Sequence, residues 1–403
     1  MTGPLLFFHG DFMRRIRATS LALIAFAALQ GAAHAQPFVP TDASLVVLHV
    51  PSDPLLKRAS QLEAAVQSQG EEPSRLYDLV ESYIELGRRT AEPRYFGRAE
   101  TLLAQPLKAS TAPAELRLQL ADILQYRHEY TPALAQIEQA LLFEPRNARA
   151  HLMRAAIRQA AGDFTAARRD CVEVLSGGDS LAGSVCVAQV LGMTGQIERA
   201  RTLLTGLMAR LPSLPPRYSG WLLTTLADLE ERTGDMTAAE GSLRRAVSEN
   251  PYDHFARLAL ADLLLAQRRA TEVPALLGGM PQSESALLRL AEAHAATGNR
   301  VPNADVAVLI ERFAGARARG ERIHARDLAR FNLRVRANPA AALQAARENW
   351  TQQREPADAR LLVECAIAAG DTASIGEVAD WQQRTRYQDV KLTALLARPS
   401  SAF

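Results

Sequence analysis

The chain has 403 residues, and its 46 Lys and Arg nearly balance its 44 Asp and Glu. The resulting formal net charge of +2 argues against general nucleic-acid binding, which requires a basic surface. The chain is 48% hydrophobic but only 6% aromatic, a balance that favours helices packed through Ala and Leu over aromatic-rich sheets.

The first 35 residues predict a secretory signal peptide. A basic segment at residues 14–17 precedes an apolar segment at residues 21–29 that is too short for a membrane span. A small-x-small sequence ends at Ala35, so we expect cleavage there and a periplasmic or secreted chain that begins at Gln36. Cleavage removes three Arg and one Asp, which brings the net charge close to zero. We expect no membrane span in the mature chain, because no later stretch approaches the necessary apolar length.

Two segments precede the regular part of the chain. Residues 36–54 contain four prolines and predict an extended leader. Residues 55–110 predict N-terminal helical hairpins, because apolar residues recur at helical spacing from Leu76 to Leu86 and again from Phe96 to Leu103.

Small residues then return at intervals near 34 between residues 112 and 300. The first series is Ala121, Ala155, Ala188, Ala227 and Ala261. The second series, offset from the first by 12 positions, is Ala133, Ala167, Ala200 and Ala239. Such a period with paired small residues is typical of stacked helix–turn–helix units, in which two antiparallel helices approach closely at the alanines.

Glycine and proline residues recur at fixed places within this period. Glycines stand where the turn between paired helices needs left-handed dihedral angles, namely at Gly162, Gly195 and Gly234. Prolines stand where each second helix must end, namely at Pro145, Pro212 and Pro251. With its small, large and small residues in this order, the segment resembles the tetratricopeptide repeat (TPR) family. The resemblance implies an all-α fold, an α-solenoid of TPR hairpins with degenerate hairpins at both ends.

The pattern degrades toward the C-terminus. Residues 213–218 are an insertion that lengthens one interval to 39, and Arg268 replaces the turn glycine of the fifth unit. Residues 301–397 predict irregular helices that cap the solenoid, and residues 398–403 predict a tail. The irregular helices are expected near residues 303–318, 321–336, 339–352, 356–369 and 372–384.

The resemblance implies that the first helix of each pair lines a concave groove. The polar residues projected into it are Asp122, Gln189, Asp228, Glu231, Asp262 and Glu292. The apolar residues projected into it are Leu118, Leu152, Val185, Trp221 and Phe255. The acidic excess indicates a groove for a basic or amide-rich extended segment, and ordinary solvated polar residues are the alternative. Trp221 and Phe255 are candidate anchors, although Trp221 has an alternative role in packing beneath the insertion.

A second charged feature lies in the irregular region. Arginines repeat every four residues and form a single stripe on a helix, namely Arg322, Arg326, Arg330 and Arg334. Because like charges at this spacing repel one another, the stripe requires compensation. Acidic residues on a neighbouring helix are one source, and an anionic partner surface or lipid headgroup is the other.

No catalytic constellation or metal motif is recognisable, so we expect no enzyme activity, cofactor or metal. The histidines of the mature chain show no helical metal-ligand spacing. Three cysteines form neither a disulfide framework nor a CxxC motif. Cys171 and Cys186 fall on adjoining predicted helices, so a disulfide between them is one interpretation and separate small buried thiols are the alternative.

These patterns predict an exported TPR scaffold that binds a protein or peptide through its groove. Residues 95–99 and 353–361 resemble a group of exported bacterial TPR proteins. That resemblance implies a partnership with a membrane permease of the hydrogenase/urease-accessory type, and hence a role in assembling or regulating an envelope complex. The alternative is an enzyme or small-ligand-binding protein with its site in the irregular C-terminal region.

Overall fold

The structure is a computed structural model that describes residues 54–69, 72–209, 214, 216–280, 283–298, 303–318 and 325–397. The predicted signal peptide, cleavage site and leader up to residue 53 therefore lie outside the described residues, as do Arg322 and the tail. Within the described residues there is no strand, and every helix is too short or too polar to span a lipid bilayer.

The first half of the solenoid consists of nine consecutive helices within the residues that the structure describes. They are α1 (Pro54–Gln69), α2 (Pro73–Thr90), α3 (Pro93–Ala104), α4 (Ala114–Tyr126), α5 (Tyr130–Phe143), α6 (Ala148–Ala160), α7 (Phe164–Ser176), α8 (Ser180–Met193) and α9 (Ile197–Met208). A 3₁₀ turn at Pro106–Lys108 follows α3.

The second half begins with a longer helix. The helices are α10 (Pro216–Thr233), α11 (Met236–Glu249), α12 (His254–Ala266), α13 (Val273–Leu277), α14 (Glu284–Ala296), α15 (Asn303–Ala318), α16 (Ala325–Arg330), α17 (Pro339–Trp350), α18 (Pro356–Ala369), α19 (Thr372–Thr385) and α20 (Val390–Leu396). A 3₁₀ turn at Ala270–Glu272 precedes α13, and a π-helical segment at Phe331–Val335 continues α16.

The repeat pattern explains these boundaries. The turns at Gly162, Gly195 and Gly234 have positive φ, and Arg268 adopts a φ of 61° at the corresponding turn of the fifth unit. Many helices begin with an aspartate whose carboxylate accepts a hydrogen bond from a backbone N–H in the first turn. Asp163, Asp179 and Asp253 are examples at the starts of α7, α8 and α12.

The repeated alanines lie at the contacts between paired helices. Ala121, Ala133, Ala155 and Ala167 are fully buried, and larger residues such as Leu243 fill the space between successive pairs. The prediction of an all-α solenoid of TPR-like hairpins is confirmed, because each pair packs on the next through this set of small and large side chains.

The C-terminal helices share a core with the middle of the solenoid. One continuous apolar cluster joins Phe164 and Met193 of the repeats to Trp350, Trp381 and Leu392 of the C-terminal region. The backbone N–H of Arg354 donates to the carbonyl of Ala160 at 2.7 Å. The C-terminal helices are therefore packed against the repeats and do not merely extend the end of the stack.

Cys171 on α7 and Cys186 on α8 form a disulfide bond within the same core. Their Cα atoms are 5.5 Å apart. Of the two sequence-based alternatives, the structure has the bonded one. Cys365 lies in this cluster as a buried free thiol.

The contact at Ala227 allows a test of helix packing. Ala227 is 3% exposed, so we expect Ala227→Trp to destabilise the protein by roughly 1–3 kcal/mol through overpacking. Urea unfolding followed by circular dichroism measures this difference. An unchanged unfolding midpoint would show that Ala227 does not occupy a close helix contact.

The disulfide allows a second test. Because the bond joins residues 15 positions apart, the Cys171→Ala/Cys186→Ala double variant should lose roughly 3 kcal/mol of unfolding free energy. A reductant should lower the wild-type melting temperature toward that of the double variant and leave the variant itself unaffected. Cys365→Ala is the control, since its melting temperature should keep the same response to reductant as the wild type.

Candidate interaction surface

The first helices of successive pairs contact one another in sequence and form one continuous face. We call this the first-helix face, and it is formed by α2, α4, α6, α8, α10, α12 and α14. Interhelical polar contacts stabilise it. Asp122 pairs with Arg88 of α2 and lies 3.6 Å from Arg149 of α6, and Gln189 of α8 donates to Thr225 of α10 at 3.4 Å.

The arginine stripe lies against the acidic residues of this face. Arg330 donates to Asp262 of α12 at 2.8 Å and to Glu292 of α14 at 2.7 and 2.9 Å. Arg334 reaches the same Glu292 at 3.2 Å, and Arg289 of α14 holds Asp262 from the other side at 2.9 Å. The arginine stripe and the acidic groove candidates, which the sequence presents separately, therefore form ion pairs with each other.

Arg326 begins the described part of the stripe and binds within the C-terminal region. It donates to Asp358 at 2.5 and 2.8 Å and also pairs with Glu355. Asp358 is buried and additionally accepts from Asn349 at 2.7 Å. Each arginine of the stripe that the structure describes therefore has an acidic partner within the chain.

In this network, burial and the neighbouring charges shift the pKa of each group in opposite directions. Burial alone would raise the pKa of Asp262, but the adjacent Arg289 and Arg330 hold it well below its ordinary value. Burial alone would lower the pKa of Arg330, but Asp262 and Glu292 raise it. The network is therefore charged, and both signs are needed to keep it so.

The acidic residues of α10 also have internal partners. Asp228 accepts from Arg232 at 2.9 Å, and Arg232 is almost fully buried. Arg232 also bonds the Gly192 carbonyl and stacks over the Tyr387 ring at 4.5 Å. Glu231 pairs with Arg360 of α18 and accepts from Lys391 of α20 at 3.1 Å.

The apolar candidates lie in three different environments. Leu118 and Val185 are 1% exposed and pack inside the repeats, so their projection into the groove is wrong. The projection placed them toward the concave groove, but neighbouring helices cover them. Leu152 and Trp221 are half-buried against the C-terminal cluster. Phe255 is 71% exposed.

Sequence reasoning missed the exposed aromatic residue beside Phe255. Tyr252 is 76% exposed and lies just before α12, three residues from Phe255. Its position in the turn between two repeats placed it outside the helical projection. A search for aromatic residues in the turns beside first helices would have found it.

The described residues contain no group of three His, Cys, Asp or Glu side chains arranged to hold a metal ion. Burial raises the pKa of the Cys365 thiol to about 12, so this thiol is not poised as a nucleophile at neutral pH. Burial likewise raises the pKa of Tyr130, whose hydroxyl accepts from Gln353 at 2.9 Å, to about 12.

The fold and this face define a helical-repeat protein of the kind that scaffolds protein interactions. A model of the tetratricopeptide repeat family matches residues 220–263, which cover most of α10, all of α11 and much of α12. The chain therefore contains a tetratricopeptide repeat at these residues. Comparison with curated proteins gives no match.

Several solved structures are similar to this chain, all at low identity. Yeast Tom70 is 12% identical over 82% of this chain and 59% of its own, with a TM-score of 0.42. A TPR protein from Parabacteroides merdae is 12% identical over 77% and 98%, with a TM-score of 0.37. The human IFIT1 dimer with PPP-AAAA is 12% identical over 84% of this chain and 95% of its own, with a TM-score of 0.44. This chain thus spans about three fifths of the Tom70 chain.

The ion-pair network allows a test of the attachment of the C-terminal helices. Arg330→Met should cost roughly 3 kcal/mol of unfolding free energy, because it leaves the buried carboxylate of Glu292 with only the more exposed Arg334 as a partner. Arg334→Met is the matched control, since Arg334 is 38% exposed and should cost far less. Equal losses in the two variants, measured by urea unfolding, would contradict a central role for Arg330.

Proposed function

We propose that the protein is an exported scaffold that binds a protein or peptide partner on the exposed part of its first-helix face. The observation that carries this proposal is the pair of exposed aromatic side chains Tyr252 and Phe255. Phe255 stands 34 positions after Trp221, so the two occupy equivalent places on successive first helices. Exposed aromatic residues on a repeat surface are typical anchors of an interface.

The ion pairs within the chain limit what the acidic residues of this face can bind in a partner. The acidic groove candidates Asp122, Asp228, Glu231, Asp262 and Glu292 each have an arginine partner in this chain. A basic segment of a partner would have to displace these arginines. We therefore infer that apolar and aromatic anchors provide most of the binding energy and that the acids of this face chiefly hold the fold together.

Export is the second part of the proposal. It is supported by the signal-like sequence that ends at Ala35 and by the Cys171–Cys186 disulfide, because disulfides persist mainly in oxidising compartments. The resemblance of residues 95–99 and 353–361 to exported bacterial TPR proteins supports a periplasmic location. On the same ground, we propose that the partner belongs to an envelope complex that includes a membrane protein.

The aromatic pair allows a direct test. The mature chain, tagged at its C-terminus and expressed in a bacterial envelope, should retain a protein partner on affinity purification. The Tyr252→Ala/Phe255→Ala variant should lose most of that partner in quantitative mass spectrometry, because truncation of central aromatic anchors typically costs at least about 2 kcal/mol of binding.

Leu142→Ala is the control, because Leu142 is also 71% exposed but lies on α5, a second helix of another pair. This variant should retain the partner. Equal recovery with all three proteins would overturn the assignment of the binding surface.

A small-ligand role is the second candidate function. A cleft of about 900 Å³ lies between α20 and the turn that precedes α9, and Tyr387, Val390 and Thr393 contribute to its walls. Its lining is mostly apolar and includes the buried Arg232 and Asp389. Recovery of a stoichiometric small molecule without any protein partner would favour this role over the scaffold.

A further inference from the structure

A separate polar cleft of about 500 Å³ opens between α6 and α7. None of its lining residues belongs to the arginine stripe or to the exposed aromatic pair. Its lining residues are Pro145, His151, Arg154, Arg158, Arg169, Asp170 and Glu173.

One buried carboxylate organises the cations of this cleft. The side chain of Asp170 is 2% exposed and accepts hydrogen bonds from Arg154 Nη2 at 2.7 Å, Arg154 Nε at 3.0 Å and Arg158 Nη1 at 2.7 Å. Because these contacts fix both guanidinium groups, their remaining N–H groups have defined positions.

The histidine of the cleft is held on both sides. His151 Nδ1 lies 3.2 Å from Asp170 Oδ1, and Nε2 lies 2.9 Å from the carbonyl oxygen of Pro145. Both ring nitrogens are therefore already engaged, so His151 serves to position Asp170.

The cleft has more positive than negative charge. Three guanidinium groups, those of Arg154, Arg158 and Arg169, face only the carboxylates of Asp170 and Glu173. Within the described residues, Arg169 forms no ion pair, and neither Nη1 of Arg154 nor Nε and Nη2 of Arg158 has an acceptor. The cleft thus presents several unused donors and an uncompensated positive charge.

We propose that this cleft binds an oxyanion, a phosphate or a carboxylate group, between Arg154, Arg158 and Arg169. A guanidinium group offers two parallel donors that match the oxygens of such an anion. Asp170 is a positioning residue that holds two of the three guanidinium groups in place before the anion arrives. Glu173 opposes binding through its negative charge. The proposal stands independently of the scaffold role, since it uses neither the first-helix aromatics nor the arginine stripe.

The test uses inorganic phosphate and acetate as probes. Each should raise the melting temperature of the wild-type protein above that in sodium chloride at equal ionic strength, because a ligand that binds only the folded state stabilises it. Isothermal titration calorimetry should detect binding to the same protein. Binding of phosphate alone would assign the cleft to phosphate groups, and binding of acetate as well would assign it to oxyanions in general.

Variants of the same two helices provide the controls. Arg158→Gln should weaken binding by roughly tenfold or more, since it removes a charge-assisted donor. Glu173→Gln should strengthen binding because it removes a repelling charge. Arg168→Gln should bind as the wild type does, because Arg168 is exposed on α7 but does not line the cleft. If Arg158→Gln proves unfolded by circular dichroism, the exposed Arg169→Gln replaces it.

Two results would overturn the proposal. One is the absence of calorimetric binding by either probe at millimolar concentration. The other is equal weakening in Arg158→Gln and Arg168→Gln, which would indicate a general effect of surface charge and no defined site.

Discussion

The close approach of paired helices at small side chains is the constraint on which the rest of this structure depends. Ala155 of α6 and Ala167 of α7 lie in one apolar cluster, and both residues are completely buried. The larger residues must then fill the space between successive pairs, which sets the stacking of one hairpin on the next. This stacking aligns the first helices in one face and so positions the groove candidates that they carry.

The C-terminal helices reduce the part of the first-helix face that a partner can reach. In an open solenoid each repeat contacts only its neighbours, so its stability is close to a sum of local terms. Here Arg354 and Gln353 reach back to α6 and to the start of α5, and Arg360 reaches α10. These long-range contacts couple distant repeats and cover part of the face that a partner would otherwise use.

Charge pairing within the chain also limits what the acidic residues can recognise. Asp262 and Glu292 are satisfied by Arg330, and the same arginine would be costly to bury without them. The set of groups available to a partner therefore differs from the acidic set that the sequence suggests. It includes the aromatic side chains beside α12 and the arginines that line the cleft around Asp170.

The sequence by itself determined the helical hairpins, their period and the small residues at their contacts, because these depend on neighbours within about one repeat. It also indicated that the stripe from Arg326 to Arg334 needed acidic partners, since like charges repel at that spacing. Only the tertiary structure decided which acids those were, that Leu118 and Val185 were covered, and that Cys171 bonded Cys186. The physical reason is distance along the chain: Arg330 and Asp262 are 68 residues apart, and no local pattern shows that folding brings them together.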